Sequence, residues 1–464
     1  MVRVSEIACW LTSVVVLGCG GVVDDGAAGA FADGSSTIAA GGAAASGASS
    51  TSSTSGSSSG GVGGASASPP VDLGCDVASV GAWTRVSCGA QPPAERPDLG
   101  ADLETFDFAV ATAGDGVVVA LDDGVSAVLH VARDGTPDVV AVPYGLWPSS
   151  PELTTDVGGV AHVVAGGPDS TLPVVEVPLD TLAPSTVTGA SALFIRGAID
   201  ASADGRLHVF AYDRHFVGAN GAWAPAALDI ASIYDPAYAL DARGEAAVLG
   251  HGARGDVDVV FGGAVTSLGA GTAAVFARPA VDLVAGEADV AAVVQDDLGL
   301  RVVWPRTAAA DVRIAAPAFV STCPQPVYPA CMTVCHDVGV GVPRGGFAAA
   351  RSSDGAVWIG YVTSELDVDR TFAGSDELLE ACTTQRDPAT DRSTAVLRLV
   401  RVVAGAAPAV VDEETLPDPG LDYYGGAATA LHMHAFGDRV AVAVRTFDAT
   451  RLLDLRVRAF VVTP

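Results

Sequence analysis

From about residue 104 to the end of the chain, apolar and polar positions alternate in short Val-rich runs broken by Gly, Asp and Pro, as in "FAVATAGDGVVVAL" and "ATALHMHAFGDRVAVAV". No stretch there carries a helical period, so the pattern predicts an all-β body. The first part divides into four strands over 106–112, 117–121, 127–132 and 138–142, which would make one antiparallel unit.

The unit recurs. A strand ending in Asp, a Gly-containing turn and a second strand appear around Asp156, Asp200, Asp241 and Asp282, at spacings of 44, 41 and 41 residues. "FAVATAGDGVVVAL" precedes this series, and "FAAARSSDGAVWIGY" and "ATALHMHAFGDRVAVAV" follow it, giving seven units once insertions at 316–345 and 364–394 are set aside. Four short strands every 40 or so residues resemble the β-propeller superfamily. The resemblance implies a seven-bladed β-propeller of four-stranded antiparallel blades over residues 71–464. WD and kelch signatures are absent, and "SSDGAVW" matches an Asp-box turn only in part. A stacked array of β-sandwiches is the alternative.

"LLDLRVRAFVV", near the C-terminus, reads as the third strand of the seventh blade and leaves that blade one strand short. "GAWTRVSC", residues 81–88, precedes the first blade and is expected to return as the missing strand, removing an exposed edge.

Upstream of the body the pattern vanishes. Residues 26–70 are almost entirely Gly, Ala, Ser and Thr, with no face to bury, and predict a disordered tether. Before it, Arg3 and an apolar run from Ile7 to Leu17 read as a signal peptide over 1–18, too short to span a bilayer. Val16-Leu17-Gly18-Cys19 resembles the lipobox of bacterial lipoproteins. That resemblance implies lipidation of Cys19 and, with Gly20 following, an outer-membrane protein held by its lipid, periplasmic or surface-exposed. Plain signal cleavage, with Cys19 discarded or free, is the alternative.

Charge narrows the partners. The 464-residue chain is 49% hydrophobic, enough for a large core, and its formal charge is −29, with every one of its 25 basic residues an Arg. Such acidity excludes nucleic acid and direct adsorption to anionic lipid. A monomer is expected. Export favours disulfides: Cys75 and Cys88 could staple the entry segment, and Cys323, Cys331, Cys335 and Cys382 lie in the two insertions. The last four divide three and one between the insertions, so one disulfide is expected from Cys382 to the first insertion and one within it, tying both into a cap.

Candidate chemistry is sparse. Asp115-Gly116, Asp204-Gly205 and Asp354-Gly355 read as hairpin turns, since no DxDxDG loop marks a calcium site. His162 and His208 stand three residues after a turn Gly, where other units carry Val119 and Trp358, and so read as a repeat position. His432 and His434 could share a strand face, but no third metal ligand is specified, and no GxSxG is present. No metal and no cofactor are expected.

Connections between blades carry aromatics, Tyr144, Trp147, Phe194, Tyr234, Phe276, Tyr328, Tyr423 and Tyr424, and Arg196, Arg278 and Arg344 stand just before three first strands. Aromatic rings and guanidinium groups suit a glycan or an anionic ligand. The plainer reading wedges the rings between blades and pairs the Arg with carboxylates. Tyr328, His336, Asp337 and Arg344 are expected to line the rim of the cap.

A binding or scaffolding lipoprotein is therefore expected ahead of an enzyme. Sialidase-like propellers use an arginine cluster with Tyr and an acid, which Arg196, Arg278, Arg344 and Tyr423 could imitate, though the FRIP motif is missing. A structural part of an envelope assembly is the third reading.

Overall fold

The computed structural model describes residues 75–80, 83–89, 107–113, 116–122, 127–133, 136–142, 152–164, 171–191, 198–211, 214–219, 222–228, 233–252, 255–280, 283, 290–307, 311–320, 334–343, 345–374, 382–385, 392–416, 431–437, 439–448 and 451–462. All of them belong to one compact unit, Ala67–Pro464. Every regular element among them is a β-strand.

Two strands, β1 (Cys75–Val80) and β2 (Trp83–Gly89), precede the repeats. Sheet one is β3 (Asp107–Ala113), β4 (Gly116–Asp122), β5 (Ala127–Arg133) and β6 (Thr136–Val142). Sheet two is β7 (Glu152–Thr155), β8 (Val160–Val164), β9 (Thr171–Pro178) and β10 (Ser185–Ser191). Sheet three is β11 (Ala198–Ala201), β12 (Leu207–Ala211), β13 (Arg214–Ala219) and β14 (Ala222–Ala226). Sheet four is β15 (Tyr234–Leu240), β16 (Ala246–His251), β17 (Asp256–Phe261) and β18 (Ala264–Ala270). In each, every strand pairs antiparallel with the next.

The fifth group, β19 (Ala273–Pro279), β20 (Ala291–Asp296), β21 (Gly299–Val303) and β22 (Val312–Ile314), is followed by β23 (Val334–Gly341). The sixth is β24 (Phe347–Arg351), β25 (Val357–Gly374), β26 (Cys382–Gln385), β27 (Arg392–Val402) and β28 (Ala409–Leu416). A short parallel pairing of β19 with β24 makes these two groups one ten-stranded sheet. The last group is β29 (Leu431–Phe436), β30 (Arg439–Asp448) and β31 (Arg451–Val462), and β2 pairs antiparallel with β31, followed outward by β1, in the order β29-β30-β31-β2-β1. The N-terminal segment "GAWTRVSC" thus supplies the fourth strand of that sheet, and β1 a fifth.

Burial grades outward in the third, fourth and sixth groups. Inner strands such as β16 and β24 are nearly continuous buried apolar runs, whereas the outermost strands β14, β18 and β28 are mostly exposed. The sheets pack face to face. Ala109, Val118, Val163 and Val175 join sheets one and two, and Leu249, Phe261, Phe276 and Val294 join the fourth and fifth groups. Trp358, Met433 and Val442 join the sixth and last. The first strands β3, β7, β11, β15, β19, β24 and β29 lie side by side in that order, and β29 lies against β3.

The turns between first and second strands explain the repeat. Gly159, Gly205, Gly244 and Gly355 adopt positive φ of 76°, 81°, 77° and 82°, which favours Gly. Counting back three residues from each gives Asp156, Ser202, Asp241 and Ser352, so Asp200 is not the structural counterpart of Asp156. It sits two residues earlier, inside β11. The fifth unit differs too. Its first strand is β19, ending at Pro279, and Phe276 and Arg278 lie within it rather than in a connection before it. Tyr234 likewise opens β15.

Candidate functional site

The first strands carry a buried polar cluster where they meet. Arg278 Nη2 of β19 donates to Glu152 Oε2 of β7 at 2.6 Å, with the two side chains 23% and 19% exposed. Asp200 of β11 is buried beside them, and its Oδ2 has no hydrogen-bond partner. Burial pushes the Asp200 carboxyl up to about 6; Arg278 opposes this and Glu152 adds to it. Burial alone would lower the pKa of Arg278, but Glu152 and then Asp200 raise it further and keep it charged. Carboxylates from sheets two and three thereby share a single guanidinium from the fifth group.

A separate set of hydrogen bonds links sheets one and two to the last sheet. Thr155 Oγ1 of β7 donates to the Thr112 carbonyl of β3 at 2.6 Å, and the Thr112 N–H donates to His434 Nδ1 of β29 at 3.2 Å. Accepting that bond requires the neutral ring, and burial, helped by Arg278, holds the His434 pKa down to about 3. His432, two residues away, packs edge-on against Phe108 at 4.9 Å between centroids. Among the described residues no group of three His, Cys, Asp or Glu is arranged to hold a metal ion. Nor is any helix there long and apolar enough to cross a membrane.

The recurring histidine position is a turn device. His162 Nε2 meets Asp156 Oδ2 at 2.9 Å, His208 Nε2 meets Ser202 Oγ at 3.2 Å, and Trp358 Nε1 donates to Ser352 Oγ at 2.9 Å. Each pair spans six residues. In the fourth sheet the same spacing sets Asp241 against Ala247, which has no donor, and Asp241 Oδ2 is buried without a partner. His208 Nδ1 also lies 2.9 Å from His215 Nε2. Burial lowers both, His208 further through His215, each to about 4.

Of the residues singled out by sequence, Cys19, Trp147, Arg196, Cys323, Tyr328, Cys331, Arg344, Tyr423 and Tyr424 lie outside the described residues, as do Tyr144, Phe194, Asp115 and Asp282. Arg278 is committed to Glu152, so the pairing with this protein's own carboxylates is what occurs there. Phe276 is buried in the core. His336 and Asp337 lie in β23, whose register with β25 sets His336 opposite Asp369 and Asp337 opposite Val368.

The two segments read as insertions pair with each other. β25 runs on past its pairing with β24, and its distal half is flanked by β23 on one edge and by β27 and then β26 on the other. Their described residues extend sheet six. Glu365 is exposed on this extension, and the sequence places Asp367 and Asp369 at the next alternate positions of β25. The same topology separates Cys335, opposite Arg370, from Cys382, opposite Gly374, on the far edge. Their Cα atoms are roughly 10 Å apart across the sheet and roughly 13 Å along it. That exceeds what a disulfide spans.

No protein-family model matches the chain, and no curated protein is significantly similar to it in sequence. Among solved structures it is similar to AofleA from Arthrobotrys oligospora, at 12% identity over 67% of this chain and 88% of that one, with a TM-score of 0.37. A triple arginine-to-alanine mutant of AofleA gives 12%, 67%, 89% and 0.35. A fungal alcohol oxidase of the AA5 family, in complex with copper, gives 10% identity, 81% of this chain, 76% of that one and 0.36. At these values the likenesses assign neither a family nor a ligand.

Proposed function

We propose that the chain is an exported lipoprotein, anchored to the outer membrane through Cys19, whose body is a closed seven-bladed propeller that binds or scaffolds an extracytoplasmic partner. The observation that carries the binding role is the extension of sheet six. The distal half of an eighteen-residue strand runs on past its pairing with β24, flanked on both edges, and its sequence sets Glu365, Asp367 and Asp369 at alternate positions. The cluster of Arg278, Glu152 and Asp200 fits the rigid centre of such a body better than a ligand site, because Arg278 is already paired with Glu152. Binding residues are accordingly sought on the extension, and a protein with a basic surface suits its charge.

Co-purification from detergent-solubilised envelopes tests this reading. The wild type is expected to retain a stoichiometric protein partner that the E365K/D367K/D369K variant loses while keeping its melting temperature. Retention by both, or by neither, speaks against the extension as the binding surface; a hit on a glycan array that survives the triple change moves the site elsewhere. Labelled palmitate should enter the wild type and not Cys19→Ser.

A further inference from the structure

We infer that Cys75 and Cys88 form a disulfide that clasps the two outermost strands of the last sheet. β1 and β2 pair without interruption from Val80↔Trp83 to Cys75↔Cys88. Only Gly81 and Ala82 separate the strands, and a two-residue connection closes on a hydrogen-bonded pair. Bonded and non-bonded pairs then alternate along an antiparallel ladder. Counting outward from Val80↔Trp83, the pairs Ser79↔Thr84, Val77↔Val86 and Cys75↔Cys88 are the non-bonded ones. In such pairs the Cα atoms approach to about 4.5 Å, within the separation a disulfide spans, and opposed residues share a sheet face. A slip of one residue would set Cys75 opposite Ser87 or Gly89, so this register is what brings the two cysteines together.

The other cysteines among the described residues, Cys335 and Cys382, belong to different strands, β23 and β26. Closure of the clasp removes two protons and two electrons from the two thiols. A disulfide of a protein or small-molecule oxidant accepts them: one cysteine thiolate attacks it to give a mixed disulfide, the other displaces that bond, and the oxidant leaves as two thiols. The product fixes β1 to β2, which itself is registered with β31 from Trp83↔Val462 to Gly89↔Arg456. The strand that brings the N-terminal part of the chain to the C-terminal sheet is thereby held in its hairpin. This clasp is independent of the binding role.

The test uses the full chain, equilibrated with oxidised glutathione, alkylated without reductant and digested with trypsin and Asp-N. Trypsin cuts after Arg85, between the two cysteines, so the clasp yields a linked pair of peptides containing Cys75 and Cys88. Reduction should lower the melting temperature of the wild type by more than that of C75S/C88S. Alkylated Cys75 or Cys88 in the oxidised protein, or a link from either to any other cysteine, overturns the inference. Mapping of the wild type decides the matter even where the double variant folds poorly.

Discussion

Arg278 and Glu152, 126 residues apart in the chain, meet at 2.6 Å, joining the first strand of the fifth group to the first strand of sheet two. Asp200 stands beside them with no compensating hydrogen bond at Oδ2. One guanidinium therefore holds two carboxylates in a place that burial makes hostile to either alone.

Removing that guanidinium should be costly. Arg278→Met leaves Glu152 and Asp200 facing each other, and a loss of about 2–4 kcal/mol is expected, below the full cost of breaking a buried pair because both side chains are partly exposed. Adding Glu152→Gln should restore at least ~1 kcal/mol of it. Denaturant unfolding of the single and double variants measures the coupling; strictly additive losses would show that the pair does not matter.

Acid should destabilise the fold between about pH 6 and pH 4. His208 and His215 are held down to about 4 and His434 to about 3, each from an ordinary 6.5, so below that value the unfolded chain takes up protons that the folded one refuses. Asp200 works in the other direction: raised from 3.8 to about 6, it takes up a proton in the folded state first. Three histidines against one aspartate leave the unfolded state about two protons ahead, and stability should fall by roughly 2–3 kcal/mol per pH unit. Asp156, Asp204, Asp296 and Asp354, all lowered, lose their contributions only at still lower pH. Melting temperatures recorded from pH 7 to 4.5 check the slope, and a flat profile contradicts it.

His162→Ala should give the second sheet the defect that Ala247 leaves beside Asp241. Burial tends to raise the Asp156 carboxyl, but the hydrogen bond from His162, with the N–H groups of Val160 and Gly158, brings it below 3.8. Loss of the ring should cost about 1–2 kcal/mol and move the Asp156 titration upward, which carboxyl-resolved NMR would follow. An unmoved titration would mean that His162 only fills space.

These relationships differ in how far they could be read from sequence. The strands of sheet one were legible to within two residues at each end, because alternation and turn glycines are local signals. The Asp series was legible as a repeat but not in register. Asp200 lies two residues from the turn position that Ser202 occupies, and only the hydrogen bonds of the turn reveal the difference. Arg278 looked like a connection residue because Pro279 and Asp282 suggested a strand starting later. Its partners, Glu152 and Asp200, belong to other sheets, and nothing local announces them. The extension of sheet six was visible as two interruptions of the period, but that "SELDVDRTFAG" continues β25 instead of leaving the sheet depends on β23, which arrives from the other interruption.

The N-terminal strands complete the last sheet. β2 makes seven register pairs with β31, and the ladder should contribute on the order of 5 kcal/mol. The direct measurement is the melting temperature and solubility of the chain lacking residues 71–90, set beside the chain lacking residues 26–68. The account predicts that the first deletion lowers the melting temperature and promotes aggregation through the bared edge of β31, while the second leaves both unchanged. Equal, negligible effects of the two deletions would contradict it.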